Sequence, residues 1–154
     1  MTTSQVRRLG AEEIRRFSST YIAEGRKQES WRIKEVEIRD GLLSARICME
    51  STFVSAQDPG GFHLSVFPAL EFLSQLMIVY THVWAQLPEK RRECWMVESQ
   101  TCFLSAIRNS EDIRVEMTVR KMRKRGVHLY CVADYRVTDD QGGLFEASLK
   151  GFLS

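Results

Sequence analysis

The sequence predicts an α+β domain in which one curved antiparallel sheet wraps around a single long central helix. Three observations predict it. Residues 66–86 are apolar on nearly every side, broken only by a few polar groups, which marks a buried helix rather than a surface one. Beyond residue 30 the other regular segments alternate with a period of two, and turns rather than helices separate them. The chain has 154 residues, of which 44% are apolar and 27% charged, enough for one ordinary domain with a real core. No linker, repeat or low-complexity tract divides it. Residues 1–154 therefore read as one domain, with 1–27 as an N-terminal helical segment.

The elements follow in order. Ala11–Glu24 places Ile14, Phe17, Tyr21 and Ile22 at helical spacing and stops at Gly25. Trp31–Ile38 is a strand with Trp31 and Ile33 facing in, and Val36 and Ile38 as further inward candidates. Asp40-Gly41 is a two-residue hairpin signal, and Leu42–Met49 is the return strand. Ser51–Phe62 is irregular and contains the turn Asp58-Pro59-Gly60-Gly61. The helix then runs from Val66 to about Gln86. Ser65 is its expected N-cap, and Pro68 is tolerated because first-turn N–H groups lack an intrahelical acceptor. Leu87-Pro88-Glu89-Lys90 ends it. Four strands remain: Met96–Leu104, Ile113–Met122, Val127–Val137 and Leu144–Leu153, with turns at 123–126 and 139–143. A lone buried helix amid one antiparallel sheet is the hot-dog fold. Such a sheet leaves an edge strand open, and pairing with a second copy covers it, so a homodimer or higher assembly is expected.

Bulk properties narrow the setting. The net charge of +2 gives no general affinity for nucleic acid. No apolar leader opens the chain, so a cytoplasmic protein is expected. Val66–Trp84 is long enough to span a bilayer, but Glu71, Gln75 and His82 are costly there, and no membrane association is expected. Cys48, Cys94, Cys102 and Cys131 show no metal-binding spacing with each other or with the histidines. No metal, no disulfide and a reducing compartment are expected.

The candidate chemistry lies at the entrance to the helix, in Gly60-Gly61-Phe62-His63-Leu64-Ser65. An imidazole takes and returns protons near neutral pH, which makes His63 the candidate catalytic base. Free N–H groups of the helix start stabilise an oxyanion. Gly60 and Gly61 either let backbone approach a ligand or merely turn the chain. Glu71, Ser74 and Gln75 share one helix face. Glu71 is a possible second acid or base, though a structural pairing is favoured. Ser74 and Gln75 either bind substrate or satisfy each other and the backbone. His82 and His128 read as structural. The basic run Arg120-Lys121-Met122-Arg123-Lys124-Arg125 suits an anionic partner or a solvated turn. Without an aromatic stacking motif it does not suggest RNA.

These residues carry a resemblance. "EFLSQLMIVYTHVW" resembles the central helix of the hot-dog 3-hydroxyacyl-ACP dehydratases, and "GGLFEASLKGFLS" resembles their terminal strand. Phe62-His63-Leu64-Ser65, followed by Ser74-Gln75-Leu76, more closely resembles the type III hot-dog long-chain acyl-CoA thioesterases, with the same twelve-residue step from His63 to Gln75. "CFLSAIRNSEDIRVEMTV" and "VTDDQGGLFEASLKGF" extend the likeness, which covers roughly residues 42–154. The family's functional asparagines fall on Ser65 and Ser74. A subgroup of these thioesterases adds glycine to an α,β-unsaturated acyl thioester and then hydrolyses it. The resemblance implies that chemistry here, giving an N-carboxymethyl-3-amino fatty acid. It implies His63 as catalytic residue and Gly61, Phe62, Ser65, Ser74 and Gln75 as substrate-binding residues. It implies acyl-CoA or an acyl carrier protein as partner, glycine as co-substrate, and no cofactor beyond the CoA or phosphopantetheine of the substrate. Arg46 is the cation nearest in sequence to the loop, and no residue is assigned to the glycine carboxylate. The alternatives are a simple acyl-CoA or acyl-ACP thioesterase, a 3-hydroxyacyl-ACP dehydratase, and a non-catalytic acyl-binding module.

Overall fold

A computed structural model describes residues 11–17 and 29–154. The first helix, α1, covers Ala11–Phe17. The expected continuation to Glu24 lies outside the described residues. Six strands follow: β1 (Ser30–Arg39), β2 (Leu42–Ser51), β3 (Cys94–Ser105), β4 (Ile113–Arg125), β5 (His128–Thr138) and β6 (Leu144–Leu153). The long helix α2 (Val66–Trp84) lies between β2 and β3. All strand pairs are antiparallel, in the order β1-β2-β4-β5-β6-β3. This is the hot-dog fold.

Alternation builds the inner face. Leu43, Ala45 and Ile47 of β2, Ile113, Val115 and Met117 of β4, and Cys131, Ala133, Tyr135 and Val137 of β5 are buried against Phe72, Leu73, Leu76 and Met77 of α2. The odd spacing of inward residues in β1 has a physical cause. A register shift between Ile33 and Glu35 lets Ile33 pair with Ile47 and Ile38 with Leu43, both packed against the core, while Val36, paired with Ala45, stays exposed. A second shift, between Val119 and Lys121, similarly returns Met122 opposite Cys131. Tyr135 donates its hydroxyl to the Leu73 carbonyl at 3.2 Å and so ties sheet to helix.

Helix α2 is long and apolar enough to cross a membrane by length and composition, and half of it is buried inside the fold. It ends at Trp84, two residues before the expected Gln86, which takes a positive φ of 55°. Val127, expected at the start of a strand, lies instead in the β4–β5 turn and is exposed. All four cysteines are free thiols.

Candidate active site

Three segments meet at the start of α2: the turn at 58–64, the stretch 105–109 after β3, and the β5–β6 turn at 139–143. The Leu64 N–H bonds the Ile107 carbonyl at 2.9 Å, which joins the first two. Asp139 joins the second to the third. One of its oxygens accepts the backbone N–H groups of Arg108 and Asn109 at 2.7 and 2.9 Å. The other accepts those of Gln141 and Gly143 at 3.0 and 2.7 Å. Burial alone would raise this carboxyl, but the four N–H groups outweigh it and hold Asp139 below its usual range. Gly143 is required by space, since a Cβ there would lie 2.6 Å from Ile107 Cα.

The segment held in this way delivers Arg108 to Asp58. The guanidinium Nη1 lies 3.1 and 3.3 Å from the two Asp58 oxygens and also reaches the carbonyls of Gly61 and Phe62. Gly60 donates its N–H to Asp58 Oδ1 at 2.9 Å. A Cβ at this position would lie 2.3 Å from the Arg108 guanidinium carbon, so a larger residue would displace that side chain from its place on Asp58. Gly61 adopts φ +75°, the left-handed region where glycine is unstrained. Arg108 chiefly, then the Gly60 N–H and His63, lower the Asp58 carboxyl to about 2.

His63 Nδ1 stands 2.6 Å from Asp58 Oδ2. A carboxylate at neutral pH only accepts, so Nδ1 carries the proton. Nε2 is then left with its lone pair, and the ring is 44% exposed toward a cleft. The cleft has a volume of about 480 Å³ and is lined by His63, Ser65, Val66 and Phe67 on one side and Phe103 to Ala106 on the other. Its lips are apolar: Phe67, Phe103 and Leu104 are all exposed. Phe103 stacks on Phe145 at 4.2 Å.

Ser65 occupies the N-cap position of α2, but its side chain makes no cap hydrogen bond. This corrects the expectation. Its hydroxyl donates to Glu29 at 3.2 Å. The first-turn N–H groups of α2 are therefore left without a side-chain acceptor, beside the cleft.

The remaining candidates are placed differently. Phe62 packs against the core and offers the site its carbonyl, which binds Arg108. Glu71 is exposed and accepts the Trp31 indole N–H at 2.8 Å. Ser74 donates to the Leu70 carbonyl of its own helix at 2.7 Å. Gln75 is half-buried on α2. None of these three lines the cleft. Arg46 lies on the outer face between buried Ala45 and Ile47 and pairs with Asp112 at 2.7 Å. His82 is buried: Nδ1 donates to the Ile78 carbonyl at 2.8 Å and Nε2 accepts the Arg91 N–H at 3.2 Å. Among the described residues no cluster of ligands could hold a metal ion.

Sequence reasoning missed Asp58 and Arg108. Asp58 was legible only as a turn residue. A signal existed, since an aspartate five residues before a histidine across Pro-Gly-Gly can fold back onto it. Arg108 carried no local signal, because it reaches Asp58 from 50 positions away through the fold.

No protein-family model matches the chain, and no curated protein matches it. Solved structures do. The yhdA protein of Lactococcus lactis superposes with TM-score 0.59 at 12% identity, over 79% of this chain and 92% of that one. A mutant of PA1618 from Pseudomonas aeruginosa superposes with TM-score 0.55 at 17% identity, over 80% of each chain. A Streptococcus pneumoniae TIGR4 protein, determined with coenzyme A, superposes with TM-score 0.52 at 14% identity, over 81% of this chain and 86% of that one. All three carry the word thioesterase in their names. At these identities the likeness establishes a shared hot-dog fold.

Proposed function

We propose that the chain is an acyl-thioester hydrolase in which Asp58 orients His63 and His63 Nε2 activates water. The carrying observation is the 2.6 Å contact of His63 Nδ1 with an aspartate that Arg108 and a backbone N–H keep ionised. Nε2 takes a proton from water as oxygen attacks the thioester carbon, and returns it to the departing thiolate. The uncapped N–H groups at the start of α2 lie where the developing oxyanion gains most from them. The apolar lips accept the acyl chain. The fold shared with a protein solved with coenzyme A supports acyl-CoA as the substrate class.

Water is favoured over glycine as the nucleophile. A glycine carboxylate needs a cation, and among the described residues lining the cleft none is basic apart from His63. Arg108 is engaged with Asp58, and Arg46 with Asp112. Conjugate addition of glycine remains the finer reading that the serines at 65 and 74 suggest. One experiment separates the two. The protein is incubated with a 2-enoyl-CoA and with its saturated counterpart, each with and without glycine, and followed by thiol release and mass spectrometry. Hydrolysis of both substrates without glycine supports the proposal. An N-carboxymethyl adduct with glycine-dependent thiol release overturns it in favour of the dual reaction. Absence of turnover in every arm leaves a non-catalytic acyl-binding module.

The active unit is proposed to be at least a dimer. The two sheet edges differ in chemistry. Edge strand β1 exposes Arg32, Lys34, Glu35, Glu37 and Arg39, charges that discourage strand pairing. Edge strand β3 is exposed along nearly its whole length and carries Met96, Val97, Phe103 and Leu104. A second copy along the part of β3 that carries Phe103 and Leu104 would cover those side chains and wall the open side of the cleft, leaving Trp95 on the outer face uncovered. A monomer in sedimentation at micromolar concentration, with full activity, contradicts this.

A further inference from the structure

The basic run at the end of β4 is not part of the cleft. Strand pairing gives it neighbours that its own sequence does not show. Arg123 pairs with Tyr130, Tyr130 with Phe152, and Phe152 with Trp95, so one line crosses four strands. Their chain neighbours Leu129 and Leu153 are buried inward, so this line lies on the outer face. Three aromatic rings thus stand side by side over roughly 10 Å, given the spacing between strands. Tyr130 and Phe152 are 5.8 Å apart with ring planes 34° apart, and Trp95 is 60% exposed. The Arg125 guanidinium lies 6.0 Å from the Tyr130 ring centre. Exposed Lys150, two residues from Phe152, adds a third cation. Among the described residues none of Arg123, Arg125 and Lys150 forms an ion pair. Arg125 lies over Tyr130 and Lys150 stands opposite exposed Glu98 without an ion pair, while Arg120, Arg136 and Arg114 nearby on the same sheet are all paired.

We infer that this outer face, with Tyr130, Phe152 and Trp95 as stacking rings and Arg123, Arg125 and Lys150 as phosphate partners, binds single-stranded nucleic acid. Bases stack on exposed rings whatever their identity, and the cations follow the phosphates. Tyr, Phe, Trp and Arg are also enriched at protein interfaces, so a protein is the competing occupant; the cations beside the row of rings favour a ligand that carries phosphates next to its stacking faces. The CoA of a substrate bound at His63 in the same protomer does not reach it. Trp95 and Ser105 stand at opposite ends of β3, roughly 30 Å apart, and the cleft opens on the helix side. The inference does not depend on the hydrolase reading.

Fluorescence anisotropy of a labelled 12-nucleotide single-stranded RNA tests it, with the matching duplex, heparin and CoA as competitors. Binding at 50 mM salt should weaken about 20-fold by 200 mM, as expected for three phosphate contacts. Trp95→Ala should weaken binding about tenfold at fixed salt and leave the salt slope unchanged. Arg125→Gln should instead lower that slope by about 0.7. Tyr130→Leu gives an independent second loss should Trp95→Ala fail to fold by circular dichroism. Absence of binding at 50 mM salt overturns the proposal. So does heparin competing as well as RNA with no effect of Trp95→Ala or Tyr130→Leu, which reduces the surface to a charge patch. Displacement by CoA at matching concentration makes it a nucleotide grip, and a change in the sedimentation of the protein alone on Trp95→Ala makes it a self-association face; either result overturns the proposal.

Discussion

The His63 loop and the polar face of α2 both set hydrophilic side chains beside an apolar core, and they use them in different ways. In the loop, contacts between segments end on one within the turn: Asp139 holds the Arg108 backbone, Arg108 holds Asp58, and Asp58 holds His63. The chain of contacts ends on an imidazole nitrogen facing a cleft. On the helix, Ser74 bonds the carbonyl four residues back, and Glu71 holds the Trp31 indole. Ser74 is thus satisfied within its own helix and Glu71 by β1, and neither lines the cleft. A polar residue in a core helix needs only a local acceptor to be tolerated, whereas a catalytic one must be held by others and keep an atom free.

Replacing His63 should break this contrast most sharply. His63→Ala is expected to lower kcat for acyl-CoA hydrolysis by about 10²–10⁴, the range for loss of a general base. The thermal midpoint should barely move, because the ring is 44% exposed. A steady-state assay beside a melting curve reads both. Retention of most activity would remove His63 from the mechanism. Asp58→Asn should come next, with roughly a 10²-fold loss from misorientation of the ring. It carries a pH signature. Asp58 has its folded pKa depressed from 3.8 to about 2, so its contribution to stability is present above about pH 4 and lost as pH falls toward 2. The difference in melting temperature between wild type and Asp58→Asn should therefore be constant at neutral pH and close between pH 4 and 2. A gap that persists at pH 2 would mean that the charge is not what stabilises.

The same contrast explains what was legible in the sequence. The strands of the inner face were readable because alternation is local: Ile113, Val115 and Met117 announce their face without knowledge of their neighbours. The helix was readable from its all-round apolar character. His63 was visible as a lone imidazole at a glycine turn before a helix. What held it was not, because Arg108 approaches only after β3 has been laid against β6 and the turn at 139–143 has closed. The capping role expected of Ser65 failed for a related reason. Local rules offer its hydroxyl the helix N–H groups, and Glu29 competes from 36 residues away. The aromatic line on the outer face was equally hidden, since Tyr130, Phe152 and Trp95 become neighbours only through register.

A third substitution asks how far the positioning chain extends. Asp139→Asn keeps the shape of the side chain but weakens its bonds to four backbone N–H groups, one of them that of Arg108. The expected cost is about 1–3 kcal/mol in a denaturant titration, the range for disrupted bonds to a buried group. Activity should fall several-fold below the melting transition, and the loss should appear in kcat more than in KM, because the cleft walls are untouched. An equal rise in KM would point to a collapsed cleft instead.

The smallest effects should fall on the helix, and their smallness is informative. Ser74→Ala removes a hydroxyl whose acceptor, the Leu70 carbonyl, already serves the helix ladder, and Glu71→Gln keeps an acceptor for the Trp31 indole. Each should change stability by no more than about 0.5 kcal/mol, as for substitutions away from special features. The proposed hydrolase activity should stay within about twofold, since neither group lines the cleft. A tenfold loss of kcat in Glu71→Gln with the melting temperature intact would reverse the assignment. It would mean that the helix supplies a second acid or base, as in the dehydratase-like reading, and that the carboxylate now on the Trp31 indole turns toward substrate once one is bound. Measuring Ser74→Ala alongside separates that case from a general disturbance of α2, because the two side chains sit three residues apart on one face and only Glu71 can exchange a proton.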